Sequence, residues 1–253
     1  GIVLALSVAA PAAAQMGQSN PLNGEVPRAT SGAAVRIHPS TPLSPPSLDE
    51  GEATRAAPLG TPDVEKSFGT VTRSRDGSET RTAPDPELRE IIRQATEPMD
   101  DRTSVEPRDT GDPVFQEAAV ARQVFGEDDR VAITTTDTFP FSTFGFIQGR
   151  TPRGNWGSCS GTLIGPRTVL TAAHCLYSHE DGGWLSEVIF APGLNGYDHA
   201  PFGAFRAGST TILQGYVDNF RGSYGSVFSW DLGVITLEDA VGDYTGYLGY
   251  AHY

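Results

Sequence analysis

The chain has 253 residues and a formal net charge of −13, and its composition is so uneven that only the second half reads as able to bury a core. Residues 1–122 hold 14 of the 19 prolines and only two aromatics, Phe68 and Phe115; residues 123–253 hold the other 21 aromatics, both cysteines and all three tryptophans. The two halves carry −6 and −7 with no basic cluster in either, which excludes a nucleic-acid partner because a polyanion would be repelled.

In chain order, residues 2–10 form an apolar run too short to span a bilayer, followed by the small residues Ala12, Ala13 and Ala14 that a signal peptidase needs. Residues 1–14 are therefore expected to be the remnant of a secretory signal peptide, clipped at its start. This implies a secreted protein, extracellular or periplasmic, with no membrane association once the signal is removed. Export places Cys159 and Cys175 in an oxidising compartment, where two cysteines are most simply one disulfide. With two thiols and no histidine pair beyond His174 and His179, neither a metal centre nor any other cofactor is expected.

From Gln15 to about Pro84 the sequence is rich in Pro, Ala, Ser, Thr and Gly with no sustained period, which predicts disorder. Two helical islands follow. Asp85 caps and Pro86 opens the first, with a stripe of Leu88, Ile91, Ile92 and Ala95 that stops before Pro98. Asp112 and Pro113 repeat the start signal, and Val114, Phe115, Ala118 and Ala121 follow. Neither helix has a core of its own. Residues 15–122 thus form one unit, mostly disordered with short helices.

From Gln123 the texture changes to short strands punctuated by glycine. They are predicted at Arg130–Thr136, Thr143–Gln148, Cys159–Ile164, Thr168–Thr171, Glu187–Phe190, Ala204–Leu213 and Leu232–Leu237, a pattern of an all-β barrel or sandwich.

The most informative stretch runs from Cys159-Ser-Gly-Thr-Leu-Ile to Leu170-Thr-Ala-Ala-His174-Cys175. Two apolar strands, joined by a Gly165-Pro166-Arg167 turn, lead into small residues that let backbone crowd beside His174. A Cys159–Cys175 disulfide would anchor the chain directly after that histidine and stabilise the fold by roughly 3 kcal/mol on the chain-entropy model.

This segment closely resembles the trypsin-like serine proteases. The resemblance implies that His174 is the general base that takes a proton from a serine hydroxyl and returns it to the leaving amine. Ser229-Trp-Asp231-Leu-Gly-Val-Ile-Thr-Leu237 resembles the family's segment in which an aspartate at the mouth of an apolar strand orients the histidine, so Asp231 is the expected acid. Val124-Phe-Gly-Glu-Asp-Asp-Arg130, Pro140-Phe141 and Ala191-Pro-Gly-Leu-Asn195 look like the secreted glutamyl endopeptidase branch. In that branch the mature chain begins just before such a turn, which puts pro-region cleavage at Arg122, Gln123 or Val124. Residues 123–253 are then the N-terminal part of the protease domain, the first barrel of a chymotrypsin-like double β-barrel.

The family's nucleophile sits in Gly-x-Ser-Gly, and no such sequence follows Asp231, so the serine is expected beyond Tyr253. The lookalike Gly157-Ser-Cys159-Ser-Gly161 reads as the disulfide strand, and Gly222-Ser223 and Gly225-Ser226 as turns. Asp218, Asp243, His179 and His199 read as solvated loop residues, His38 as part of the disordered tract, and Glu127-Asp128-Asp129 as a solvated turn without calcium-ligand spacing. The resulting expectation is a monomeric secreted serine endopeptidase zymogen acting on protein or peptide substrates, with the pro-region able to dock on its own enzyme. Residues 1–253 alone should be inactive. The alternative is a catalytically dead protease homologue acting as a secreted binding module.

Overall fold

The computed structural model describes residues 35–43, 63–96, 131–196 and 199–250. The expected signal remnant, the expected helix after Asp112, the expected cleavage site at Arg122 to Val124 and the Glu127 to Asp129 run lie outside the described residues. In chain order the strands are β1 (Thr41–Pro42), β2 (Thr70–Ser74), β3 (Glu79–Thr82), β4 (Phe144–Arg150), β5 (Trp156–Leu163), β6 (Thr168–Thr171), β7 (Tyr177–Ser178), β8 (Gly183–Trp184), β9 (Ser186–Pro192), β10 (Phe205–Leu213) and β11 (Gly233–Leu237). Among the described residues the helices are α1 (Val64–Ser67), α2 (Pro86–Thr96), α3 (Gln214–Asp218) and α4 (Gly242–Thr245).

Hydrogen bonding runs β11-β6-β5-β4-β9-β10 and then returns from β10 to β11, so six antiparallel strands close on themselves. This is the all-β barrel that the sequence pattern predicts. Inward residues of successive strands fill it: Ile147, Leu163, Val169, Phe190, Ile212, Ile235 and Leu237 are all at most 2% exposed. Burial of such side chains stabilises by roughly 1.5–3 kcal/mol each. Strand β10 turns Phe205 and Ala207 inward and then, past a register shift between Ala207 and Ser209, Thr210 and Ile212. One extra residue at this bulge moves the inward set from odd to even positions.

The predicted strand at Arg130–Thr136 is not formed by its described residues. Residues 131–136 run outside any ladder, with Val131 83% and Ile133 48% exposed, held by the Thr136 hydroxyl on the Gly193 carbonyl and the Asn195 amide on the Thr134 carbonyl. The β propensity of the run is overridden because every barrel strand already has a neighbour on both sides.

The expected disorder from Gln15 to Pro84 is corrected for residues 35–43 and 63–84. Strand β1 pairs in parallel with β5, and the His38 ring stacks on Trp156 at 4.2 Å. Gln148, fully buried on β4, accepts from the His38 backbone N–H at 2.9 Å and donates to its carbonyl at 2.7 Å, so both ends of a buried amide are satisfied by this segment. Strand β2 adds antiparallel to β10 over Ser209–Leu213, where β9 no longer pairs with it, and β3 pairs with β2. A segment with so few apolar residues cannot make a core of its own, yet it can complete one: Val71 is 1% exposed in the main core cluster. Helix α2 forms as predicted, with the Asp85 carboxylate accepting from the Leu88 N–H at 2.8 Å and Ile92 buried.

Candidate active site

Strand β6 ends at Thr171 and passes into a single 3-10 turn, Ala173–Cys175, that carries His174. Gly233, the first residue of β11, pairs with Thr171. Continuing that antiparallel register by two residues brings Asp231 abreast of Ala173 and His174. The approach is close because Gly233 lacks a side chain: a Cβ there would stand 2.7 Å from the Ala172 carbonyl oxygen. The turn is also tied to β5 twice, by the Thr171 hydroxyl on the Ser160 carbonyl at 2.9 Å and by a disulfide between Cys159 and Cys175.

Both oxygens of Asp231 are used on one residue. Oδ1 accepts from the His174 backbone N–H at 2.8 Å, and Oδ2 lies 2.7 Å from the ring Nδ1. A carboxylate can only accept, so Nδ1 carries the hydrogen, and in the neutral ring Nε2 keeps its lone pair. Among the described residues Nε2 has no hydrogen-bond partner. Both side chains are 15% exposed. Burial alone would raise the Asp231 carboxyl, but the His174 side-chain and backbone hydrogen bonds, the imidazole charge and the Ala173 N–H outweigh it and hold it below the ordinary aspartate value. The pair is thus an ionised acid that fixes one imidazole tautomer, with the other ring nitrogen able to take a proton.

Cys159, Cys175 and His174 also bring two sulfurs and a ring nitrogen within 4.8 Å of one another. The sulfurs are bonded to each other, so no thiolate remains there to ligate a metal.

Several other sequence expectations change. His179 is not a solvated loop residue: its ring stacks on Phe220 at 3.9 Å beside Tyr177, Tyr216 and Tyr224, and Nε2 donates to the Tyr216 carbonyl at 2.9 Å. Burial lowers its pKa. Asp218 closes α3 and accepts two hydrogen bonds from Arg81, at 2.9 and 3.1 Å, with Lys66 at 3.6 Å. Apart from Tyr177, the aromatic and cationic partners of these two residues are far away in sequence, so local composition could not show them. Asp243 lies on α4 and is exposed, and His199 is exposed in a loop. Ser223 and Ser226 bond to each other and to Gly225 in one 3-10 turn, and the Ser226 hydroxyl accepts from the nearby Arg221 N–H, as expected of turn residues. Sequence reasoning also missed Gly233, which lets β11 pass close to the histidine turn; a glycine inside an apolar strand was the available signal.

Residues 134–195 match the family model described as Trypsin. The glutamyl endopeptidase of Bacillus licheniformis is 32% identical over 131 residues, covering 52% of this chain and 37% of that protein. The chain is thus similar to the trypsin-like serine proteases, and to their glutamyl endopeptidase branch. A protein of Bacillus subtilis named extracellular metalloprotease is 32% identical over 128 residues, covering 50% of this chain and 38% of that one. Inactive serine protease 35 of Mus musculus is 40% identical over 63 residues, 24% of this chain and 13% of that protein. A solved structure of Glu endopeptidase in complex with MPD gives a TM-score of 0.42 at 24% identity, covering 52% of this chain and 55% of that chain. The chain therefore spans well under half the length of the curated relatives it matches. Among the described residues no helix is long and apolar enough to cross a membrane.

Proposed function

We propose that the protein is a secreted serine endopeptidase made as a zymogen, in which His174 and Asp231 are two members of a Ser-His-Asp triad. The observation that carries this reading is the pair of hydrogen bonds from His174 to the two oxygens of Asp231. With Nδ1–H held by the carboxylate, Nε2 takes the proton of an attacking serine hydroxyl as a tetrahedral intermediate forms at the scissile carbonyl. The imidazolium, stabilised by Asp231, then protonates the leaving amine, and the acyl-enzyme is hydrolysed by water through the same relay in reverse.

The serine and the oxyanion-hole amides are assigned to a second barrel. An open groove on the first, lined by Ile133, Phe141, Phe144, Phe146, Leu170 and Leu194, supports that placement, since Phe141, Phe144 and Leu170 are each more than a third exposed. Residues 15–122 are assigned to a pro-region cleaved near Arg122, and secretion follows from the apolar run at the N-terminus.

The test is to express the protein with its continuing sequence and measure labelling by a fluorophosphonate together with cleavage of a peptide library. His174→Ala should abolish labelling, and Asp231→Asn should lower turnover by about 10⁴-fold through the wrong tautomer. Undiminished labelling in His174→Ala sinks the assignment. Residues 1–253 alone should lack proteolysis, since loss of a triad serine costs about six powers of ten. Amino-terminal sequencing of the active form locates the cleavage, and a fully active chain beginning at Gln15 refutes the zymogen.

A further inference from the structure

We propose that residues 63–84 are not a disposable leader but a lasting part of the barrel: after scission near Arg122 they stay seated, and Phe68 acts on Trp230 as a positioning residue for Asp231. The proposal rests on the zymogen reading only for the scission; the positioning role stands on contacts present in the intact chain.

The segment closes a seam in the barrel. Strand β9 pairs with β10 only at Phe205 and Arg206, and the remaining edge of β10, Ser209–Leu213, is taken by β2 in five consecutive register pairs. The bulge is engaged as well, since the Gly208 carbonyl accepts from the Arg75 N–H at 2.9 Å, and the Gly69 carbonyl accepts from the Gln214 N–H at 2.6 Å. At the other end the segment grips α3. Asp218 takes Arg81 and Lys66, both from this segment, while Asn219 donates to the buried Ser67 hydroxyl at 2.9 Å. Burial alone would raise Asp218, yet its bonds to Gln214 and Arg81 and the nearby charges of Arg81 and Lys66 hold it below the ordinary value, so it stays ionised as the anchor. If the segment left, an unpaired strand edge, the Val71 site and an Asp218 stripped of both its cations would all be bared to water.

The route to the site is short. The Trp230 ring meets Phe68 edge-on at 5.1 Å. On α3, Gly215 admits the same indole so closely that a Cβ there would lie 2.6 Å from Trp230 and 2.8 Å from Ser67. Trp230 is the residue before Asp231, and its carbonyl accepts from the Leu232 N–H at 2.8 Å, closing the tight bend that presents the carboxylate. An indole held from both sides therefore fixes the peptide from which Asp231 reaches His174.

Two measurements test this on the full-length protein. A specific protease site is placed between residues 97 and 130, the chain is cut there, and the product is run on a sizing column: the N-terminal piece should co-elute with the barrel, and Arg81→Gln with Lys66→Gln should make it dissociate on dilution. The second readout is the low-field proton resonance of the His174 Nδ1–H bonded to Asp231. Phe68→Ala should broaden or shift it through faster solvent exchange, and Phe68→Tyr should restore it. If Phe68→Ala fails to fold, the cut double variant, with its piece removed by dilution, supplies the same resonance without the clamp. A piece that elutes apart from the unmodified barrel, or a resonance indifferent to loss of Phe68 or of the whole piece, overturns the proposal. Neither readout requires proteolysis, so a catalytically silent protein would defeat the proposed function and leave this test intact.

Discussion

Gly233→Ala adds one methyl group at the place where β11 passes closest to the histidine turn. The new Cβ would lie 2.7 Å from the Ala172 oxygen, 2.9 Å from Leu176 Cδ1 and 3.0 Å from the Ala172 carbonyl carbon. Leu176 can yield by a rotation, but the Ala172 backbone cannot, being one residue from the His174 turn. The gap is short of ordinary van der Waals separation by roughly half an ångström or more, and overpacking of this kind costs about 1–3 kcal/mol. Exchanging glycine for alanine in a strand returns about 0.5–1 kcal/mol of backbone entropy, so the clash wins by about 1–2 kcal/mol. At about 2–4 °C per kcal/mol for a chain of this size, calorimetry should show a fall in Tm of about 2–8 °C. Relief by retreat of β11 would also draw Asp231 away from His174, taking the 2.7 and 2.8 Å bonds toward the range where hydrogen bonds weaken. Gly249→Ala, with nothing within 4 Å of the added carbon, is the control and should melt with the parent. A Gly233→Ala protein that melts at or above the parent temperature with its His174 Nδ1–H resonance unmoved would show that the close approach does not set the site.

Replacing Cys159 and Cys175 together by alanine frees a loop with a sequence separation of 16 and should destabilise the barrel by about 3 kcal/mol, read as a fall in urea midpoint with little change in slope. For pH, the native Asp231 carboxyl lies below its ordinary value of 3.8, so the unfolded chain binds more protons as the medium is acidified. The stability contributed by Asp231 is complete above that ordinary value and is lost as pH falls through the lowered native one. Asp231→Asn should therefore flatten the decline of the urea midpoint on acidification, and an unchanged decline would mean that the carboxylate is not held as described. Asp218 contributes with the same sign, so part of the slope should survive in Asp231→Asn and be reduced further by adding Asp218→Asn.

The barrel strands were legible because each carries its own signal within a few residues. β6 forms over the predicted Thr168–Thr171, and β10 and β11 differ from expectation by one residue at one end. His174 and Asp231 were singled out for a different reason, the resemblance of their two segments to the trypsin-like proteases, and the structure brings them together because Gly233, two residues after Asp231, pairs with Thr171 at the end of β6. Residues 131–136 show where that local signal fails, since a run with strand propensity needs an unoccupied edge. His179 and Asp218 show a second failure. Most of what surrounds them in space comes from distant parts of the chain, Tyr216, Phe220 and Tyr224 in one case and Lys66 and Arg81 in the other.

The largest misjudgement concerns the first half of the chain, and its cause lies in what composition measures. Few aromatics and many prolines mean that residues 1–122 cannot generate a core, but adding a strand to an existing sheet requires only backbone donors and acceptors and one or two apolar side chains in register. Strand β3 is exposed at every position and β2 has one fully buried residue, Val71, so their sequences look like linker even while their backbones lie in a continuous ladder with β10. Phe68 is one of only two aromatics in that half, and it is the one that meets Trp230. In a segment otherwise stripped of large apolar groups, an isolated aromatic has nothing local to pack against. Its partner must come from elsewhere in the chain, and here that partner is the residue beside the acid of the site.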